Sequence, residues 1–284
     1  MIIFKKTISY LLAFVLGIIL LFEIILLFLN DSLLSEMNMQ IELKNTNYYY
    51  NIYSIILNTA KDYVMQSGFH EIVLDDVITE KRTQNDLNHA IHCLYNNKKV
   101  EINTSDLREK LSKNIKKQIE IKNYEIDNQT QNAINEFEDS IINEYKSNMY
   151  YSEEIANQIG TYIPKISQIV LATIIILAII IIILLIILYK LNKPSIGIGF
   201  IISGIICILV KIYSGTNIVI NNILILNWAF SQTMIHIMNI LVQKIFMTGI
   251  VFTSLGFLTI LLCEYDISKK FYKNKKKKRA SDGK

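Results

Sequence analysis

Long uninterrupted apolar runs bracket a polar stretch of periodic character. From Ile166 to Tyr189 the chain reads ISQIVLATIIILAIIIIILLIILY, with no charge and no Gly or Pro. At 1.5 Å per residue such a helix covers roughly 36 Å, enough to cross a ~30 Å hydrocarbon core with some tilt. Three more segments read as spans, at 8–29, 195–213 and 245–263. The first is too long for a signal-peptide core. No small-x-small site precedes Asn30, where the sequence is LLFLN, so it reads as an uncleaved anchor.

Between the first two spans, 30–165 carries helical periodicity. Tyr49, Ile52, Tyr53, Ile56, Ala60 and Tyr63 recur at threes and fours, and Gly68 is placed to end that helix. Asp86 precedes Leu87, Ala90, Ile91 and Leu94, which predicts a shorter helix. Ser105 and Asp106 can cap a third, with Leu107, Leu111, Ile115 and Ile119 on its inner face. Ile134, Phe137, Ile141 and Tyr145 mark a fourth. Val100 to Ile102 is strand-like but too short to build a sheet. No Gly- or Pro-rich linker separates this region from the spans, so its first and last helices can continue them. The fold class expected is an all-α integral membrane protein, with four transmembrane helices and a mainly helical extracytoplasmic domain between the first and second.

Charge sets the orientation. Lys5 and Lys6 precede the first span, in a segment 1–7. Lys190 and Lys193 fill the turn between the second and third spans. A polybasic tail, 264–284, carries Lys269, Lys270, Lys273 and the run 275–279. With four spans all of these lie on one side, which the positive-inside rule makes the cytoplasm. Both termini are then cytoplasmic, and the protein is a multi-pass cell-membrane protein. The segment 214–244 is apolar around IVINNILILNWAF and could be taken for a fifth span. Five spans would put the polybasic tail outside, and Asn221, Asn222 and Asn227 interrupt the run. Gln232, His236, Asn239 and Gln243 then follow at spacings of four, three and four, one polar face of a helix. The segment therefore reads as interfacial or re-entrant, leading into an amphipathic extension of the last span.

Composition agrees with a mixture of spans and one soluble domain: 51% of residues are hydrophobic and the mean hydropathy is +0.32. Residues 30–165 hold 21 acidic and 14 basic side chains, a net −7 within a chain of net +4, which leaves +11 for the rest. An acidic domain does not suit nucleic acid. The tail suits anionic inner-leaflet lipids. Cys207 and Cys263 lie in apolar segments, leaving Cys93 alone in the domain, so no disulfide framework can form there.

Several residues are candidates for chemistry or packing. Glu23 lies inside the first span and Lys211 near the outer end of the third; a carboxylate in hydrocarbon costs on the order of 3 kcal/mol on insertion scales, so an interhelical pair is one resolution and separate snorkelling the other. Gly197 and Gly204 on the third span, and Gly249, Thr253 and Gly256 on the fourth, predict close helix packing. Gly199 and Ser203 form a further small-xxx-small pair. The Ile-rich second span reads as lipid-facing. His89, His92 and Cys93, in HAIHC, have a spacing a zinc site could use, with His70, Glu71, Asp75 and Asp76 as further ligands, but no paired ligand motif accompanies them. Tyr48, Tyr49, Tyr50 and Tyr53 read as core or as an interaction patch. No catalytic, cofactor or metal set is expected, and the chain is read as a non-enzyme.

The order of one span, a large outer domain and three further spans resembles the FtsX and MacB class of ABC permeases. That resemblance implies mechanical transmission between a cytoplasmic ATPase and the outer domain. It rests on span order and on no motif. The turn 190–194 is shorter than a coupling helix, and about seven residues before the first span are too few for an amphipathic helix. The primary expectation is a cell-envelope protein whose outer domain binds a partner protein or an envelope component, with a homo-oligomer compatible with the sequence.

Overall fold

The structure, a computed structural model, describes residues 2–122, 126–149, 153–216 and 228–281. The apolar stretch at 217–227, including Asn221, Asn222 and Asn227, lies outside the described residues, as do the side chains of Lys270, Lys273 and 275–279. Every regular element among the described residues is helical: α1 (Ile2–Ser32), α2 (Glu36–Asn45), α3 (Tyr48–Ser67), a 3₁₀ turn (Glu71–Leu74), α4 (Glu80–Tyr95), α5 (Ser105–Lys122), α6 (Asn128–Met149), α7 (Glu153–Leu191), α8 (Pro194–Thr216) and α9 (Trp228–Ser281). Four of them are long and apolar enough to cross a membrane, over Phe4–Ser32, Gln158–Leu191, Pro194–Ser214 and Trp228–Tyr265. The chain divides into two compact units, one of spans (Met1–Ser32, Gln168–Ile223, Ile237–Lys284) and one mainly of the shorter helices (Leu33–Ser167, Leu224–His236).

Within the span unit, α1 packs along α8. A Cβ added at Gly17 would sit 3.0 Å from the Gly199 carbonyl oxygen, and one at Gly199 would sit 3.0 Å from that of Ala13. On another face of α8 the glycines meet α9. A Cβ at Gly197 would come within 2.6 Å of the Gly256 carbonyl oxygen, and one at Gly204 within 2.6 Å of that of Gly249. Seen from α9, a Cβ at Gly256 would lie 2.5 Å from the Gly197 carbonyl oxygen. Real side chains do not fit at such distances, so the backbones touch because these positions are glycine. Around these crossings the apolar groups interlock: Leu16, Leu20, Leu184 and Leu188 form one cluster, and Ile24, Cys207, Leu241 and Ile245 another. Phe200 meets Phe252 edge-on at 5.4 Å. By contrast α7 is the least covered span, with 6% of its most apolar window buried. Between α7 and α8 the chain turns within Asn192 and Lys193, and Asn192 Nδ2 donates to Ser195 Oγ at 2.7 Å.

Within the helical unit, α3 is central and touches α2, α4, α6 and the 3₁₀ turn. Ile52, Ile56 and Ala60 are fully buried and Val64 nearly so; with buried Tyr49 they give the three-and-four spacing of its inner face. Gly68 ends the helix in the left-handed conformation, φ 75°, where a glycine carries no Cβ penalty. Buried Leu107, Leu111, Ile115 and Ile119 line α5, and Ile134, Phe137, Ile141 and Tyr145 line α6. Val100 and Ile102 are buried without forming a strand.

Three boundaries differ from the sequence reading. The span helix α1 does not run into the domain. It ends at Ser32, and Ser35 caps α2 by accepting from Asn38 N at 3.4 Å. α2 itself escapes notice because its ten residues, EMNMQIELKN, bury only Met39 and Leu43. α4 begins at Glu80 rather than after Asp86, because Thr79 accepts from Arg82 N at 3.3 Å and starts the helix through a wholly polar first turn. At the other end the last helix does continue into a span: α7 runs unbroken from Glu153 to Leu191 through Pro164. A proline there lacks the N–H that would bond the carbonyl of Gly160.

Two glycine substitutions separate contact from propensity. Gly204→Ala drives a methyl group against the Gly249 carbonyl and should cost about 1–3 kcal/mol. Gly160→Ala meets nothing closer than 3.5 Å in the interior of α7 and should be neutral, or stabilising by up to about 1 kcal/mol. Thermal unfolding of the two variants in the same detergent checks the contrast.

Candidate functional site

The intramembrane charges do not meet. Glu23 Oε2 is buried without a hydrogen-bond partner, as is Ser203 Oγ, and among the described residues no ion pair joins Glu23 to Lys211. The helix register accounts for this. Ile24 shares a cluster with Cys207, so Glu23 lies level with that turn of α8, whereas Lys211 is one turn, roughly 6 Å, farther along. Among the described residues of the span unit, Lys244 Nζ pairs with Asp31 Oδ2 at 2.8 Å, beside the Phe28 ring. Both side chains are exposed, which limits the pair to about 0–1 kcal/mol in water. Its sequence signal was present: each residue is a lone charge flanking an apolar run.

Of the packing residues, Gly197 lies against Gly256 and Gly204 against Gly249 and Thr253. Thr253 Oγ1 donates to the Gly249 carbonyl at 2.9 Å, which satisfies the hydroxyl within its own helix. Gly17, on α1, forms a second seam with Gly199 on another face of α8 and was not singled out by spacing, since its partners are on another helix.

The HAIHC residues are drawn apart by their helix face. His89 Nε2 and Cys93 Sγ lie 3.7 Å from each other. His92 instead faces α2, with Nδ1 at 3.0 Å from Glu36 Oε1 and Nε2 at 3.2 Å from Lys98 Nζ. The Lys98 ammonium can only donate, so Nε2 is assigned as acceptor and Nδ1–H as donor to Glu36. Both ring nitrogens are thereby engaged. Asn96 Nδ2 donates to the second Glu36 oxygen at 2.9 Å, and Tyr95 Oη donates to the Leu33 carbonyl at 2.6 Å. Burial pushes the Cys93 thiol up, away from the thiolate a metal would need. His70 caps the 3₁₀ turn, and Glu71 pairs with Lys61 at 2.8 Å. Among the described residues no group of three His, Cys, Asp or Glu is placed to hold a metal ion.

The tyrosine run divides as well. Tyr48 and Tyr49 are buried, and Tyr49 Oη donates to Asn88 Oδ1 at 2.6 Å; burial pushes its hydroxyl up to about 12. Tyr50 is exposed and lies against Tyr53.

A further polar constellation was not apparent from spacing. Arg82, on α4, has its guanidinium 5.7 Å from the centre of the Tyr145 ring of α6. Its Nη2 donates to the Asn103 carbonyl at 2.7 Å, and its Nη1 bonds Asp106 at the start of α5. Its Nε lies at ion-pair distance from Asp86, 3.3 Å, without hydrogen-bond alignment. Asp86 in turn accepts from Tyr145 Oη at 2.7 Å. One cation thus ties three helices together, and Tyr145 is wholly buried behind it. Burial, and then the Asp86 carboxylate, push the Tyr145 hydroxyl well above its ordinary value, so it remains a donor. The sequence signal was the Arg82–Asp86 spacing of four, hidden in a run, EKRTQND, that reads as solvated surface.

Comparison of the chain with protein families, with curated proteins and with solved structures finds no match.

Removing Arg82 leaves two carboxylates facing an emptied site. Breaking a buried pair costs about 3–5 kcal/mol; partial exposure of Asp106 reduces the expectation for Arg82→Met to about 2–3 kcal/mol. The hydrogen bond from Arg82 holds the Asp106 carboxyl below its usual value. Its contribution is therefore complete above the unfolded value of about 4 and is lost as pH falls through the lower folded value. Acid titration of stability should show this loss below about pH 4 in the native chain and a flatter limb in Asp106→Asn.

Proposed function

We propose that this is a non-enzymatic cell-envelope membrane protein whose outer helical domain binds a partner protein or an envelope component. The observation that carries the reading is the partition of charge between the two parts of the chain. The region between the first two spans has net −7, and the remainder, which holds the apolar helices, has net +11. Basic residues retained on the cytoplasmic side give both termini and the α7–α8 turn to the cytoplasm, and residues 30–165 to the outside. The basic tail then faces anionic inner-leaflet lipids. The polar clusters serve cohesion: Arg82, Asp86 and Tyr145, and Glu36 with His92, are engaged in joining helices.

A permease subunit of the FtsX and MacB type is the alternative, favoured by span order. Against it, the two-residue turn at Asn192 and Lys193 leaves no room for a helix that would couple to an ATPase.

A photo-crosslinking residue placed singly at exposed Tyr50, Glu109 and Asn143, and at Lys193, separates the readings in living cells. The proposal expects adducts with one membrane or envelope protein from the domain positions. An adduct between Lys193 and an ATPase would transfer the protein to the permease reading, and a domain with no adduct at any position would remove the binding role.

A further inference from the structure

The helical unit is acidic, but one of its helices is not. α5 carries six basic side chains against three acidic ones. Its inner face is apolar, so the bases are confined to the outer one. Lys110, Lys113 and Lys117 follow at spacings of three and four on one exposed face, and Ile121 continues it one turn on. Lys113 and Lys117 have no ion pair among the described residues, and Lys110 reaches only the Asp76 carbonyl, at 3.2 Å.

This face borders a groove of about 390 Å³ between α5 and the 3₁₀ turn. The walls are held from beneath. Gln118, buried, donates to the His70 carbonyl at 3.1 Å and accepts from His70 N at 3.0 Å. Asn114 Nδ2 donates to the carbonyls of Val73 and Asp75 at 3.2 and 2.9 Å. Each wall ends in a bare aliphatic group: Ile72 is 56% exposed and Ile121 80% exposed. Two exposed isoleucines beside three lysines, on a fixed groove, combine an apolar anchor with a cationic rim.

We propose that this groove docks an acidic segment of a partner protein that carries an apolar side chain between its carboxylates. This rests on the partner-binding reading above and specifies the surface used. The occupant's charge follows from complementarity with Lys110, Lys113 and Lys117, and its apolar group from Ile72 and Ile121. A protein segment suits the site better than a polyanion. The groove has room for a few side chains, its far wall sets Asp75 and Asp76 opposite the three lysines, and the surrounding domain has net −7, which repels an extended negative surface.

The test uses the full-length protein in detergent and a fluorescein-labelled twelve-residue peptide of glutamates with two leucines. Saturable binding that weakens with salt is expected. K113E/K117E should weaken it about tenfold or more, and I121S about fivefold. These side chains are exposed, so the thermal midpoint of each variant should stay at the native value. Equal binding of a peptide with glutamine in place of glutamate overturns the proposal, as does unaltered binding by K113E/K117E. Lysine-dependent binding of phosphatidylglycerol vesicles without peptide binding also overturns it and makes the surface a lipid site. In cells, loss of the domain adducts in K113E/K117E supports the groove. Adducts that persist in that variant overturn the groove and leave the partner-binding reading standing, whereas a native chain without adducts removes that reading first.

Discussion

Direct backbone contact between α8 and its two neighbours is the constraint on which the span unit depends. Apolar side chains gain little by leaving lipid for protein, so helices in a bilayer hold together through close packing and the many small dispersion contacts it permits. Gly199 brings α8 onto α1 at Gly17, and Gly197 and Gly204 bring it onto α9 at Gly256 and Gly249. Position along each helix follows from these crossings. They fix Ile24 level with Cys207, and with that they set Glu23 and Lys211 a turn apart. Leu184 and Leu188 give α7 its contact with this core, and most of its isoleucine surface stays uncovered.

The helical unit uses a different device. Its core is a set of ordinary amphipathic faces around α3, yet polar side chains also join the helices, among them two clusters. Arg82 draws α4, α5 and α6 together through Asp106, Asn103 and Tyr145. Glu36 holds α2 to the last turn of α4 through His92 and Asn96. Such groups fix one arrangement of helices, because a buried donor or acceptor left unpaired costs about 1–3 kcal/mol. His92, which stood out in the sequence as a candidate ligand, is thus spent on cohesion with Glu36, and lysines without an ion pair among the described residues line the outer face of α5.

How much could be read in advance follows from which interactions are local. The apolar runs announce the spans because length and hydropathy are properties of one segment. The three-and-four spacing of Tyr49, Ile52, Ile56 and Ala60 and the glycine after it likewise define α3 and its end without reference to any other element. The seam of Gly197, Gly204, Gly249 and Gly256 was legible for the same reason, as small residues repeated on single helices. What was not legible depends on partners distant in sequence. Gly17 matters only through Gly199, His92 turns from Cys93 only because Glu36 stands opposite, and Arg82 gains meaning from Tyr145, 63 positions later. α2 and the first turn of α4 were missed because caps by Ser35 and Thr79, rather than apolar periodicity, start them.

The central claim is that the charge partition orients these spans, and with them places the helical domain outside. A cysteine-free background with Cys93, Cys207 and Cys263 replaced, carrying one new cysteine at Glu120 or at Lys275, puts this directly to an impermeant thiol reagent on intact cells. The account predicts labelling at position 120 and none at 275 until the membrane is opened. Labelling at 275 with protection at 120 would invert the protein. Labelling at both would require an even number of crossings between them and contradict the four-span arrangement.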